Sequence, residues 1–576
     1  MLAVNVRAMV KISDDTNVER IEHKSKKNIA LGSIFGYLSF FVSIIHGLVL
    51  TPLILNTFGK VDYGIYGLAT SIIALLLLDF GLTNATNTYL ARLRAKGDKD
   101  GVQRFLAAIV KLYFIIDIVF AIVIAVVYFL CPVMYRSTYT PQEIEKLQFL
   151  ILIVGGFSII GLPFSPITGV IATYEKFGFN KFTEFFQKVA YFGLTIACIK
   201  LNWGIIGITI VNVACGLFTT IVRIIYMRFY LNVKLDLRLN VTKGELRGIV
   251  TFSFWSLIYA IAARLVLNIT PSILGIVSNS NEVALFTIVT TIEGYIYTFG
   301  AIANTFFLAK VARSDAYGSE EERQEHLQTL AAKIGKLQFS LIALIFLGFV
   351  TVGREFITVW LGPDQAYQSV YWCIIAICLY NVFAIPQVVL ESAMFARGFM
   401  KQLAINSLFK AAINLTLSVW LSRNEPGVLG NSIIGNMGDA VSGAVGASIS
   451  IMVARFAQLA LDNYAYHKCL KISLRRFYKD VFLKGGICAG ASLAFGVALY
   501  YFMPISNLKI KLLVNGFAFV VVYCLLIAFI NFNKQERLYY IDQGLKLLHI
   551  RKVKIAGATD TGSVEVSENK DDGKKD

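Results

Sequence analysis

A handful of ionisable residues stand inside stretches that are otherwise apolar. In "IIALLLLDFGLTNATNTYLARLRAKGD" (72–98), Asp79 follows four leucines, and Thr83 and Asn87 follow it at helical spacing. The three therefore share one helix face. Arg264 and Asn268 stand one turn apart in "IAARLVLNITPSI", and Glu293 interrupts "TIVTTIEGYIY". Two lysines sit in polar stripes: Glu184, Lys188, Tyr191 and Thr195 in one, Asn406, Lys410 and Asn414 in the other. Asp117, Glu391, Arg455 and Asp462 are further charges within apolar runs. Acids placed this way can carry ions, and cations so placed attract anions.

Enzymatic chemistry finds little support. The chain has five histidines, of which only His46 falls in an apolar block, and no HExxH, GxSxG or Walker pattern occurs. The eight cysteines lie mostly in apolar runs without paired spacing, which argues against a disulfide framework or a metal site. No cofactor and no metal is expected.

The elements that must position these residues are long and apolar. Of 576 residues, 56% are hydrophobic and only 16% charged, with a mean hydropathy of +0.64. A soluble chain carries about a quarter charged residues. Blocks such as 118–134, 204–222 and 339–353 are free of charge, and about 20 apolar residues span a bilayer as a helix. The reading is an all-α polytopic membrane protein with fourteen transmembrane helices, the first at 30–56 and the last at 509–531. The polar N-terminus does not resemble a signal peptide. Lys and Arg number 31 on the side of the membrane shared with the N-terminus and 8 on the other. By the positive-inside rule both termini are cytoplasmic. A net charge of +17 is spread between the blocks rather than gathered into one stripe, so no nucleic-acid partner is implied.

The chain also repeats. "PITGVIATYEKFGFNK" from Pro166 and "PQVVLESAMFARGFMK" from Pro386 match in one register, which pairs Pro166 with Pro386, Gly178 with Gly398 and Lys181 with Lys401. Pro52 with Pro271 and "KLYF" with "KLQF" fall at similar offsets, and "GIIG" and "GAVG" open the sixth and twelfth helices. Two six-helix repeats of the same orientation follow, helices 1–6 (30–228) and 7–12 (250–470). The segment 1–29 is a cytoplasmic N-terminal arm and 229–249 a cytoplasmic linker. Helices 13 and 14 occupy 482–531, and 532–576 forms a basic, then disordered, cytoplasmic tail. Parallel repeats place a substrate cavity between two lobes near the midplane.

Depth then sorts the charges. Asp79 lies roughly 25 Å along helix 2, in the inner half of the bilayer. Arg264 sits near the centre of helix 7, and Glu293 reaches a similar depth in helix 8. A structural Arg264–Glu293 bridge is one reading, and a substrate or proton-linked role is the other. Lys188 and Lys410 occupy nearly equivalent places in the two repeats and are expected to face one another across the cavity. Arg264, Lys188, Lys410, Asn268, Asn414 and Asp79 are thus candidates for substrate binding. Glu293, Asp79 and Glu391 are candidates for ion coupling.

"FGKVDYGIYGLATSIIALLLLDFGLTNATNTYLARLRAKGD" (58–98), "GREFITVWLGPDQAY" (353–367) and "GAVGASISIMVARFAQLAL" together resemble Wzx-type polysaccharide flippases. These belong to the multidrug/oligosaccharidyl-lipid/polysaccharide exporter superfamily. The resemblance implies two six-helix lobes that alternate access. It implies an undecaprenyl-diphosphate-linked oligosaccharide as substrate, moved to the outer leaflet of a bacterial or archaeal plasma membrane for lipopolysaccharide or exopolysaccharide biosynthesis. Membrane lipids, a polysaccharide polymerase and chain-length machinery are the partners it implies. Many members carry an acid where this chain has Asn268. A multidrug or cation antiporter of the same superfamily is the alternative, but Lys188, Arg264 and Lys410 do not suit a cation cavity.

The topology makes a direct test possible. Reporter fusions after residue 320 should read cytoplasmic and fusions near residue 430 external. The reverse pattern would refute the assigned orientation.

Overall fold

The computed structural model describes residues 15–76, 90, 99–233, 255, 258–266, 268–301, 319–422, 443–502 and 505–538. Asp79, with Thr83 and Asn87, lies outside the described residues. Every described element is helical. In chain order they are α1 (Asp15–Leu76), α2 (Lys99–Tyr135), α3 (Pro141–Gly161), α4 (Pro166–Thr173), α5 (Phe177–Lys200) and α6 (Gly204–Ile225). After the helical stretch Ile258–Val266 come α7 (Thr270–Val277), α8 (Ser280–Ala301), α9 (Glu320–Leu361), α10 (Gln368–Ala384), α11 (Val388–Ala396) and α12 (Met400–Leu421). The series ends with α13 (Gly443–Leu470), α14 (Leu474–Tyr478), α15 (Lys484–Phe502) and α16 (Leu508–Leu526).

Ten described helices are each long and apolar enough to cross a membrane, which makes this an all-α polytopic membrane protein. α1 is long enough for two crossings, and Gly59, at φ 85°, breaks it between them. A side chain there would be strained. Local sequence sets the starts. Thr140 with Glu143 opens α3, and Ser319 with Glu322 opens α9, each as a reciprocal capping box. Large apolar side chains face outward where only lipid could cover them, among them Phe129, Leu513 and Phe517, each more than 70% exposed.

The internal repeat has a different register from the one its sequence suggests. A proline-bearing 3-10 turn at Leu162–Phe164 recurs at Ile385–Gln387. The turn closing α4 donates from Lys176 N–H to Ile171 O, and the one closing α11 from Phe399 N–H to Met394 O. α5 begins at Phe177 and α12 at Met400. All three pairs share a single offset, the one that carries Phe177 onto Met400. Identity at Pro166/Pro386 had aligned one helix start with the middle of another break; the structural partner of Pro386 is Pro163. Under this register Lys410 matches Gln187, and Lys188 matches Ala411. One residue is about 100° around a helix, so the two lysines are not equivalent.

Helices up to residue 233 pack mainly on one another, as do those after 258. The seam between the two groups runs along α1, where it meets α8. Gly64 lies on Ser280 O and Gly67 on Thr287, so close that any Cβ would overlap them. Polar ties lie at the same end. Trp360 Nε1 donates to Leu48 O at 2.7 Å, Thr138 Oγ1 donates to Gly275 O at 2.6 Å, and Lys60 pairs with Asp364.

This seam should be intolerant of bulk. Gly64→Leu is expected to lower stability by about 1–3 kcal/mol or more, seen as a fall in the thermal midpoint of detergent-purified protein. Gly156→Leu is the control, because nothing lies within 4 Å of its Cβ position, and its midpoint should not move. Equal midpoints for both variants would refute the close seam.

Candidate functional site

The ionic residues concentrate where α8, α10, α11, α12 and α13 meet. On α13, Arg455, Gln458 and Asp462 follow one another at helical spacing and are buried together. Arg455 Nη1 donates to Glu293 Oε1 of α8 at 3.0 Å and to Ile377 O of α10 at 3.3 Å. Asn381 Nδ2 donates to the same Glu293 oxygen at 3.2 Å, and the Tyr380 ring lies 5.5 Å from the guanidinium. The Arg455 and Glu293 side chains keep only 9% and 6% of their surface exposed. One buried charge therefore neutralises the other, and hydrogen bonds occupy much of what remains.

A second limb lies further along α13. Asp462 Oδ1 accepts from Asn406 Nδ2 of α12 at 2.8 Å. Gln458 Nε2 donates to Ser407 Oγ at 3.3 Å. The Tyr259 hydroxyl donates to Glu391 of α11. Lys410 on α12 sits in the field of Arg455, Asp462 and Glu391. Three acids and two bases thus share a buried region that is close to electrically balanced. Such a set can hold or exchange cations, and two of its members can meet an anion.

Asn414 does a different job. Its Nδ2 donates to Val266 O at 3.1 Å and to Thr270 Oγ1 at 3.3 Å, spanning the break between Ile258–Val266 and α7. Asn268 sits within that break, where its N–H donates to Arg264 O at 3.0 Å.

The Arg264–Glu293 bridge that depth suggested is absent, because Glu293 is taken by Arg455. Arg264 instead reaches across the seam, and its Nη1 donates to Ala74 O of α1 at 2.6 Å. Among the described residues no carboxylate pairs with it. Lys188 bonds Glu184 at 3.2 Å and approaches Ser39 O of α1 at 3.5 Å, beside the His46–Tyr191 stack. Lys410 lies instead among α11 and α13, so the two lysines belong to different clusters. Asn406, Lys410 and Asn414 do follow one another along a single helix, α12. Sequence reasoning missed Tyr259, Asn381 and Gln458, which are neutral and unremarkable in sequence. The spacing of Arg455 and Asp462 along "RFAQLALD" was the available signal for the second helix of the network.

The Glu293–Arg455 pair can be tested by a double-mutant cycle. Glu293→Gln or Arg455→Met alone leaves a buried charge unpaired, at a cost of about 3–5 kcal/mol. The double substitution should recover most of the loss in membrane abundance and thermal midpoint. A double variant as unstable as the sum of the singles would exclude the pairing.

No protein-family model matches the chain, and no curated protein matches it. Solved structures do. The lipid II flippase MurJ in an inward closed conformation aligns with a TM-score of 0.66 over 89% of this chain and 99% of that one, at 12% identity. A multidrug resistance MATE family transporter of the MOP superfamily, in its inward-facing conformation, aligns at 0.57 over 78% of this chain and 99% of that one, at 14% identity. A MATE structure in complex with MaD3S aligns at 0.52 and 15% identity, over 78% and 97% of the two chains. At these identities the likeness is one of fold, and this chain has the fold shared by these MOP-superfamily transporters and the lipid II flippase.

Proposed function

We propose that this protein is a membrane transporter that moves an undecaprenyl-diphosphate-linked oligosaccharide from the inner to the outer leaflet, as a Wzx-type flippase. Arg264 carries the reading. It is a guanidinium deep in the membrane, at the seam between the two helix groups, bonded through one nitrogen to Ala74 O and without a carboxylate partner among the described residues. An unpaired cation at that depth costs several kcal/mol unless water or an anion satisfies it. A diphosphate supplies that anion, and the planar fork suits its oxygens. The fold shared with a lipid II flippase over most of both chains supports the same reading.

Both termini are cytoplasmic in this proposal, so the glycine seam and the Lys60–Asp364 pair close the outer face. Transport opens that seam and closes the inner one. With the interior negative, moving an anion outward gains roughly 2.3 kcal/mol per charge per 100 mV. The proposed site comprises Arg264 with Asn268 and Asn414 at the neighbouring helix break. Lys188, on Glu184 and Ser39 O, and Lys410, in the field of Asp462 and Glu391, are separate cationic positions that the substrate would meet elsewhere on its route. Glu293, Glu391 and the acid at Asp79 are the proposed ion-coupling groups. A polysaccharide polymerase and chain-length machinery would take up the product, in lipopolysaccharide or exopolysaccharide synthesis.

Deleting the gene should leave glycan on the inner leaflet without sensitising cells to drugs. Complementation with Arg264→Ala should abolish export per molecule of membrane protein, while Arg264→Lys should keep part of it. Drug sensitivity with normal surface glycan would replace this reading with that of a multidrug antiporter.

A further inference from the structure

A groove of about 320 Å³ lies between α3–α4 and α6, away from the ionic network. Its walls include Phe157, Gly161, Phe164, Ser165, Thr220 and Arg223. Lipid-exposed residues flank it on both helices: Ile160 is 56% exposed, Ile221 52% and Ile225 51%. The groove therefore borders the surface that acyl chains cover. Arg223 stands in the last turn of α6, about 28 Å along the helix from Gly204. That is close to the full thickness of the hydrocarbon core, so its guanidinium stands at the headgroup boundary of the leaflet holding the α4–α5 turn.

The polar groups there are only partly used. Arg223 Nε donates to Thr183 Oγ1 at 3.0 Å and Nη2 to Asn180 O at 3.3 Å, which fixes the fork and leaves Nη1 without a partner among the described residues. The Ser165 hydroxyl is buried and has no hydrogen-bond partner among the described residues. Thr168 and Thr220 donate to their own helices and so offer no further donor. Glu184 is the acid in the field of Arg223, but Lys181 and Lys188 hold it at 2.8 and 3.2 Å. The cluster is left with a net positive charge. One open guanidinium edge and one hydroxyl suit a singly charged phosphate diester; a diphosphate would demand more donors.

We infer that this groove binds a glycerophospholipid of the adjacent leaflet, its phosphate on Arg223 and Ser165 and its acyl chain along Phe157, Gly161 and Phe164. The site is independent of the transport reading. It is a lipid-occupied face of the α3–α6 bundle, which ties α4, α5 and α6 at one end of the membrane.

The test uses the full chain purified in mild detergent, with phosphatidylglycerol as the probe, read by native mass spectrometry and thermal midpoint. The wild type should keep one lipid adduct through detergent exchange and gain stability from added lipid. Gly161→Leu fills the groove without touching a bond, since a Cβ there meets only the Phe157 ring, at 3.9 Å. It should cut occupancy about tenfold, or ~1.4 kcal/mol. Arg223→Gln should do the same, and Gly156→Leu on the same helix should not. Equal retention in Gly161→Leu and wild type would overturn the assignment. So would equal stabilisation by inorganic phosphate alone, which would mean a simple anion site. Displacement of the adduct by a polyprenyl diphosphate in one-to-one ratio would likewise overturn it, because the groove would then belong to the transport route.

Discussion

A charge removed from water needs a partner, and in a bilayer that need is severe. Arg455 and Glu293 satisfy it for each other, and everything around them is arranged to keep them together. Asn381 donates to the acid from α10, and the Ile377 carbonyl of the same helix accepts from the guanidinium. Asp462 and Asn406 repeat the device further along α13. Between them these bonds fix α8, α10, α12 and α13 in one rotational setting, which apolar packing alone specifies poorly, since lipid tails compete with every apolar contact.

The seam follows a different rule. Where α1 meets α8 the contact is made of glycine against backbone and hydroxyl, with few charges inside it. Small-residue contacts bring backbones close without a desolvation cost to repay on separation. The polar ties of this seam, Lys60 with Asp364 and Trp360 with Leu48 O, lie at one end. The ionic network and the close-packed seam are thus kept apart in the molecule. Arg264 crosses the seam itself, with one bond from Nη1 to Ala74 O.

Much of this was legible in the sequence. Long charge-free blocks such as 204–222 announce helices of membrane length, and the spacing of Asn406, Lys410 and Asn414 announces a polar stripe on one helix. What sequence could not supply was which helix each face meets. Arg264 and Glu293 sit at similar depth on successive helices, and depth alone suggested a bridge. Arg455, far from Glu293 in sequence, is the actual partner because α13 packs into the angle between α8 and α10. Likewise the identity of Pro166 with Pro386 pointed to a repeat register that differs from that of the backbone turns, in which Pro163 is the partner. Proline can stand at more than one point of such a break, so its identity marks the break without fixing its phase.

That phase matters for what the repeat can mean. With the start of α5 superposed on the start of α12, the stripe of Lys188 is rotated against that of Lys410 by one position. The two halves have accordingly diverged in polar chemistry. In the first, Tyr66 lies beside Tyr191 and Asn212, and His46 stacks on Tyr191. These contacts are neutral and aromatic, with the Glu184–Lys188 pair beside them. In the second, Glu293, Glu391, Lys410, Arg455 and Asp462 gather around α12 and α13. Hydroxyl and ring contacts cost little to make and break in a changing cavity, whereas paired charges hold one geometry. The repeat therefore supplies two scaffolds of the same connectivity, and in the second the charges gather around α12 and α13.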